Sequence, residues 1–148
     1  MRTSSRMLTL DSNVLIAALK EDEPYSKRCY KILSAVPDDF VLSEPSIVYQ
    51  EVCGTLARRV GANIADQGRK RLDLMVHPRL LNNCNKAFCL SAYPLCSTYG
   101  VYAIDAMYLK VALDRLAVLV SLDKEDFIDK VNSKSPNIEA YHVSDFPY

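Results

Sequence analysis

The stretch Leu8–Ile16 constrains the fold of this chain more than any other. A short apolar run ends in a single carboxylate, Asp11, and an apolar-rich segment follows without an intervening loop. This order predicts a buried β-strand that presents Asp11 at its carboxyl end, and a helix capped by Ser12 or Asn13. Because ligands of open α/β sheets bind at the carboxyl ends of the strands, Asp11 is either part of a local cap or the first residue of a site.

Short apolar runs and amphipathic segments alternate along the rest of the chain. Strands are predicted over residues 7–11, 40–43, 117–122 and 139–143, and the stretch 79–85 is ambiguous. Helices are predicted over residues 12–20, 25–35, 45–60, 62–76, 86–99, 102–116 and 124–131. Pro94 predicts a break in the fifth of these helices. The alternation predicts an α/β fold with a largely parallel sheet, and the 148 residues, without repeat or linker, predict one domain over residues 1–148.

The balance of charges excludes attraction of nucleic acid by the overall field of the protein. There are 18 Lys and Arg against 18 Asp and Glu, and the formal net charge is zero. Any contact with RNA or DNA must therefore come from a local basic patch. No apolar run approaches the roughly 20 residues needed to cross a bilayer. The first residues also lack the apolar core of a signal peptide, so we expect a cytoplasmic protein without a membrane partner.

Five cysteines are an odd number and cannot all pair within the chain: Cys29, Cys53, Cys84, Cys89 and Cys96. No pair has Cys-x-x-Cys spacing, and no His lies at zinc-finger spacing, so a structural zinc site is not expected. The last three cysteines are close in sequence, so a disulfide between two of them is an alternative. Free thiols are the prediction for all five.

Three further acids interrupt patterns that are otherwise apolar. Glu51 lies on or beside the apolar face of the third predicted helix. Asp105 shares a row with Leu109 in a helix that is apolar nearly all round. Asp123 ends a predicted strand, as Asp11 ends its own. If these two strands are neighbours, their carboxylates meet at one edge of the sheet.

Each of these acids has an ordinary structural explanation when it is considered alone. Glu51 could pair with a neighbouring Arg, and Asp105 or Asp123 could cap a helix. An unpaired buried carboxylate costs on the order of several kcal/mol, so such groups are normally paired or bind a metal. Four acids in such positions together favour a shared site over a set of unrelated caps and ion pairs.

A site of four carboxylates favours a bound cation, because the charges repel and raise one another's pKa values. All-oxygen ligands favour hard ions such as Mg²⁺ or Mn²⁺, and no His or Cys is placed to favour zinc. Such an ion polarises a phosphoryl oxygen and generates hydroxide from bound water. The residues therefore indicate metal-assisted hydrolysis of a phosphodiester.

The sequence resembles the PIN-domain family, and in particular its VapC-type toxin ribonucleases. The resemblance covers nearly the whole chain, although residues 79–100 match only in length and helical character. It rests on four motifs: Leu10–Ile16, Tyr49–Val52 with Leu56–Arg59, Ile104–Ala112, and Leu119–Phe127. The family usually has Thr-x-Asp at its last acid, where this chain has Ser121-Leu122-Asp123 and keeps the hydroxyl.

The resemblance implies a three-layer α/β/α sandwich around a central, mainly parallel sheet. It also implies an Mg²⁺- or Mn²⁺-dependent site that hydrolyses RNA, with Asp11, Glu51, Asp105 and Asp123 as its catalytic acids. Of these, Asp11, Asp105 and Asp123 would contact the metal. Glu51 would hold a second ion or orient the attacking water.

Further expectations depend on the same resemblance. Asn13 and Ser121 would support Asp11 and Asp123 by hydrogen bonding, and Asp126 is a second candidate for the fourth acid. If the chain is a toxin, it would form a homodimer and bind a small antitoxin protein that blocks the acidic cleft.

A basic helical surface is the candidate contact for RNA phosphates. It comprises Arg58, Arg59, Arg69, Lys70 and Arg71. Basic helix faces are usually only solvated, so this assignment competes with an ordinary exposed surface.

Two other classes of function fit parts of the sequence. An aspartyl phosphatase needs a second Asp two residues after the first, and position 13 is Asn, which argues against it. A PIN-like module that only binds RNA or protein, or a PIN-like nuclease that processes RNA without being a toxin, would carry similar motifs. Loss of one acid would favour the binding module, but all four are present.

Overall fold

The structure, a computed structural model, describes residues 6–134 and 137–148. Its strands are β1 (Arg6–Leu10), β2 (Phe40–Leu42), β3 (Glu44–Pro45), β4 (Leu81–Asn82), β5 (Val118–Ser121) and β6 (Ala140–His142). Its helices are α1 (Ser12–Leu19), α2 (Ser26–Ser34), α3 (Ile47–Arg59), α4 (Ala62–Met75), α5 (Lys86–Ala92), α6 (Pro94–Tyr99), α7 (Ala103–Arg115) and α8 (Asp129–Lys134). A 3₁₀ turn lies at Pro78–Leu80, and a π-helical turn at Lys124–Ile128.

A four-stranded parallel sheet forms the centre of the fold, in the order β2-β1-β5-β6. Leu8 of β1 lies opposite Leu42 on one side and Val118 on the other. The side chains of Leu8, Leu10 and Leu119 are fully buried. Strands buried on both faces need helices on both faces, and this explains why the strands are apolar runs rather than alternating patterns.

The helices form two groups around this sheet. In one group α1 packs against α2 and α3, and α3 packs against α4. In the other, α7 lies against β1 and β5 and contacts α5 and α6. This arrangement agrees with the α/β/α architecture predicted from the sequence. No helix in the described ranges is both long and apolar enough to cross a membrane.

The start of α3 differs from the sequence prediction. The predicted helix 45–60 begins at Ile47, because Glu44–Pro45 forms β3 and pairs with β4 in a separate two-stranded sheet. The ambiguous stretch 79–85 therefore does contain a short strand. The break at Pro94 is confirmed, since α5 ends at Ala92 and α6 begins at the proline.

The predicted cap of α1 by Ser12 or Asn13 is wrong. The helix begins at Ser12, so Asp11 occupies the cap position, and its side chain makes no capping hydrogen bond. The carboxylate of Asp11 is engaged elsewhere, as described below. The five cysteines all lie in the described ranges and are free thiols.

Candidate active site

Asp11 and Ser121 join the ends of the two central strands. Ser121 Oγ donates a hydrogen bond to Asp11 Oδ2 over 2.8 Å, and only 5% of Asp11 is exposed. The same hydroxyl oxygen accepts from the backbone amide of Asp123 over 3.0 Å. β1 and β5 are neighbours in the sheet, so the strand ends that carry Asp11 and lead to Asp123 lie at the same edge, and Ser121 contacts both residues.

Asn13 fastens the first turn of α1 to the end of β5. Its Nδ2 donates to Ser121 Oγ over 3.3 Å, and its Oδ1 accepts from the amide of Leu122 over 3.1 Å. Ser121 therefore supports the carboxylate of Asp11, while Asn13 acts on Ser121 and on the backbone that leads to Asp123.

Asp123 has the capping role that its sequence position suggested. Its Oδ1 accepts from the amide of Asp126 over 3.1 Å at the start of the π-helical turn. Its charge nevertheless acts on Asp105. Asp126 is exposed, and its carboxylate lies 3.9 Å from Lys130 Nζ. Between the two candidates for the fourth acid, Asp123 has the larger effect on Asp105.

Among the described residues, the carboxylate of Glu51 is held by a tyrosine and not by an arginine. Tyr108 of α7 is fully buried, and its hydroxyl donates to Glu51 Oε1 over 2.7 Å. Asp105 lies three residues before Tyr108, so both project from the same side of α7. This side of α7 thus faces α3 at the position of Glu51.

The electrostatics show that these acids share one region. The pKa of Asp11 is raised from 3.8 to about 7, mainly by burial, then by the charge of Asp105, and with a smaller contribution from Glu51. The pKa of Asp105 is raised to about 6, mainly by burial and then by the charges of Asp123 and Glu51. The charges of neighbouring acids thus disfavour the ionised forms of Asp11 and Asp105, which is the behaviour of carboxylates that lie near one another.

Glu44 is a fifth acid of this region that the sequence patterns do not single out. It is fully buried at the start of β3, and its Oε1 accepts from the amide of Leu10 over 2.8 Å. Burial, and next the charge of Asp11, raise the pKa of Glu44 well above its usual value. Like Asp11 and Asp123, Glu44 directly follows a predicted strand, and this position is the signal that could have identified it.

A model of the PIN-domain family matches residues 8–133 of this sequence. The chain belongs to the PIN-domain family. The family predicted from the four motifs is therefore confirmed. A search of proteins with curated functions gives no match.

Several solved structures share the architecture of this PIN domain. VapC20 of Mycobacterium tuberculosis, a Sarcin-Ricin loop cleaving toxin, gives a TM-score of 0.66 at 14% identity and covers 80% of this chain and 91% of its own. VapBC2 from Rickettsia felis, bound to a promoter DNA fragment, gives a TM-score of 0.60 at 16% identity and covers 92% of this chain and 98% of its own. FitAcB from Neisseria gonorrhoeae gives a TM-score of 0.61 at 17% identity and covers 95% of this chain and 99% of its own. At these identities the likeness shows a shared fold.

The donor chemistry of the PIN domain fits a hard divalent cation. The candidate ligands are carboxylates that repel one another, and a cation relieves this repulsion. Within the described ranges, no three His, Cys, Asp or Glu side chains already stand close enough together to share one ion. The fit therefore rests on the type of the donors and on their mutual repulsion.

The basic surface of this PIN domain is largely engaged in local ion pairs. Arg69 contacts Asp66 at 3.2 Å and Asp73 at 2.9 Å, and Lys70 contacts Asp66 at 3.2 Å. These acids lie on α4 itself and neutralise much of the charge of the predicted RNA contact.

The other three basic residues differ in their surroundings. Arg59 lies 3.7 Å from Glu23, and the guanidinium of Arg71 lies 5.6 Å from the centre of the Tyr30 ring. Arg58 is exposed on α3. Among the described residues, the ion pairs of this set involve Arg59, Arg69 and Lys70 and not Arg58.

Proposed function

We propose that this PIN domain is an Mg²⁺- or Mn²⁺-dependent endoribonuclease that hydrolyses RNA phosphodiester bonds. One observation carries the proposal: at the carboxyl end of a parallel sheet, burial and the charges of Asp105 and Glu51 raise the pKa of Asp11, and burial and the charges of Asp123 and Glu51 raise the pKa of Asp105. A fold does not require carboxylates to gather in this way, since their repulsion destabilises the metal-free protein.

The residues have separate roles in this proposal. Asp11, Asp105 and Asp123 hold the cation, which when bound polarises a phosphoryl oxygen and lowers the pKa of a water molecule. Glu51 orients the attacking water, and the hydrogen bond from Tyr108 fixes the direction of its carboxylate. Ser121 and Asn13 hold the strand ends in register.

The test is cleavage of RNA by the purified protein with Mn²⁺. Asp11→Asn and Asp105→Asn keep the shape of each side chain but remove its charge, and each should lower kcat by about 100-fold or more. Asp114→Asn is the matched control, because Asp114 lies at the far end of α7 and pairs with Lys110 at 2.8 Å. Equal activity in all three variants would indicate a contaminating nuclease and would overturn the proposal.

We further propose that the protein is the toxin of a toxin–antitoxin pair in a bacterial or archaeal cytoplasm. Support comes from the VapC-type motifs and from the fold shared with VapC20 and with the VapBC2 and FitAB assemblies. Expression of the wild type should stop growth, and Asp11→Asn should not. Co-expression of the small protein encoded directly upstream should restore growth, and size exclusion of the purified toxin should give a homodimer. Normal growth on expression of an RNA-cleaving wild type would contradict the toxin role.

A PIN domain that binds RNA or protein without catalysis is the second candidate. It is favoured by the absence of a preassembled ion cluster in the described part of the chain. Calorimetric titration with Mn²⁺ separates the two, because the nuclease predicts binding by the wild type that Asp11→Asn weakens. If the protein is a binding module without catalysis, the wild type and Asp11→Asn should bind Mn²⁺ with equal affinity, or neither should bind it.

A further inference from the structure

The chain leaves the central sheet at the end of β2. The last register pair between β1 and β2 joins Leu8 to Leu42, and the amide of Ser43 donates to the carbonyl oxygen of Leu8 over 2.9 Å. A parallel ladder would continue with the amide of Leu10 donating to the carbonyl oxygen of Ser43. That oxygen instead accepts from the hydroxyl of Thr9 over 2.9 Å. Among the described residues, the amide of Leu10 thus donates to a side chain and not to the carbonyl oxygen of Ser43.

The side chain of Glu44 supplies this acceptor. Its Oε1 accepts from the amide of Leu10 over 2.8 Å, in a position that is fully buried. On the other side of β1, the next amide, that of Asp11, donates to the carbonyl oxygen of Val120 over 2.9 Å. The two consecutive amides that lead to the Asp11 carboxylate are thus held from opposite sides.

Glu44 is an unusual choice for such a contact. Its Oε2 is buried and has no hydrogen-bond partner among the described residues. Burying a carboxyl group with one oxygen unpaired is unfavourable compared with an apolar side chain of similar size. Packing alone therefore does not explain Glu44, whereas the need for an acceptor at Leu10 does.

We infer that Glu44 is a positioning residue of the acidic site, in which its carboxyl oxygen replaces a strand carbonyl and fixes the backbone that presents Asp11. Glu44 acts through Leu10 and does not itself touch the substrate. The functional part of this inference rests on the proposed role of Asp11 as a metal ligand. The structural part depends only on the hydrogen bond to Leu10.

Two substitutions of Glu44 and one control test the inference. Glu44→Leu removes the acceptor at similar volume, and Glu44→Gln keeps a carbonyl oxygen in the same place. Ser43→Ala is the control: Ser43 is equally buried, but its hydroxyl donates to the carbonyl oxygen of Leu80 and accepts from Asn82, both outside β1.

Two measurements are made on each protein: NMR hydrogen exchange of the Leu10 amide, and calorimetric titration with Mn²⁺ alone. In Glu44→Leu we expect exchange of the Leu10 amide to accelerate about tenfold or more and Mn²⁺ affinity to fall about tenfold. Glu44→Gln should recover most of both values. Ser43→Ala should unfold at a lower temperature while keeping the wild-type exchange at Leu10 and the wild-type Mn²⁺ affinity.

Unchanged exchange at Leu10 in Glu44→Leu would overturn the inference, as would a loss of Mn²⁺ affinity in Glu44→Gln or Ser43→Ala that is as large as the loss in Glu44→Leu. If Glu44→Leu does not fold, Glu44→Asp replaces it, because one methylene less withdraws the acceptor from the amide. A wild type that binds no Mn²⁺ would refute the proposed function, and exchange at Leu10 would still decide whether Glu44 fixes the strand end.

Discussion

The hydroxyl of Tyr108 donates a hydrogen bond to Glu51 Oε1 over 2.7 Å, so a fully buried side chain of α7 sets the direction of a carboxylate on α3. Tyr108→Phe removes this bond and leaves the ring in place. We expect kcat to fall about tenfold, because Glu51 no longer orients the attacking water, and the free energy of unfolding to fall by about 1 kcal/mol.

The KM for RNA should stay near the wild-type value in Tyr108→Phe, because Tyr108 is buried and does not contact the substrate. Steady-state kinetics and urea unfolding provide the measurements. A rise in KM with unchanged kcat would contradict this role for Tyr108.

Asp11 should make the metal-free protein less stable as the pH rises. Its folded pKa of about 7 lies above the ordinary value of 3.8, so the folded state binds the proton more tightly than the unfolded state does. The protein is therefore most stable with respect to this group at low pH, and it loses stability between about pH 4 and pH 7, at up to about 1.4 kcal/mol per unit of pKa shift.

Thermal melts in EDTA between pH 5 and pH 8 check this expectation. The melting temperature of the wild type should fall more steeply with pH than that of Asp11→Asn, which carries no charge at this position. Added Mn²⁺ should raise the melting temperature of the wild type at pH 8 by more than that of Asp11→Asn. Parallel pH profiles in EDTA for the two proteins would show that Asp11 is not the destabilising group.

Ser121 should tune the acidity of Asp11. Its hydroxyl donates to Asp11 Oδ2 and thereby lowers the pKa of that carboxyl, opposing the effect of burial. Ser121→Ala should move the pKa of Asp11 upward and weaken Mn²⁺ binding near neutral pH, because more of the carboxyl stays protonated. Ser121→Thr keeps the hydroxyl and should bind Mn²⁺ more tightly than Ser121→Ala. Calorimetric titrations from pH 6 to pH 8 give the comparison, and equal pH dependence in the wild type and Ser121→Ala would contradict it.

Arg58 should contribute more to RNA binding than Arg69. Arg58 is exposed and lies seven residues after Glu51 on α3, so it shares that helix face at about 10.5 Å along the axis. The guanidinium of Arg69 is already paired with Asp66 and Asp73. Arg58→Gln should reduce the slope of log affinity against log salt by about 0.7 for single-stranded RNA.

Arg69→Gln is the matched control and should change this slope less than Arg58→Gln does. Both are measured by fluorescence anisotropy at several salt concentrations in an Asp11→Asn background, which prevents cleavage of the probe. A larger effect of Arg69→Gln would return the RNA contact to α4.

The candidate acids could be identified from the sequence because their signals are local. Asp11 directly follows an apolar run, and Asp105 interrupts an apolar helix, so neighbouring residues alone show that each is out of place. The cap of α1 was mispredicted for the opposite reason. The side chain of Asn13, a predicted cap, instead binds Ser121, which lies 108 positions away in sequence.

Glu44 and Tyr108 were missed because their roles depend on contacts between distant segments. Glu44 follows a predicted strand, but this position alone does not specify its role, and a tyrosine in an apolar helix is unremarkable in sequence. Glu44 becomes an acceptor for Leu10 only because β2 ends at Leu42 and the chain leaves the central sheet before Glu44. Tyr108 meets Glu51 only because the fold brings this one position of α7 within hydrogen-bond distance of α3.

The sequence by itself determined the alternation of strands and helices and the positions of the four acids, since periodicity and strand ends are properties of adjacent residues. Only the tertiary structure decided that β1 lies between β2 and β5, which brings Asp11 beside Ser121 and the end that carries Asp123. Strand order is set by packing of the whole core, and a local pattern does not contain it. That packing lets the charges of Asp105 and Glu51 act on Asp11, and those of Asp123 and Glu51 act on Asp105.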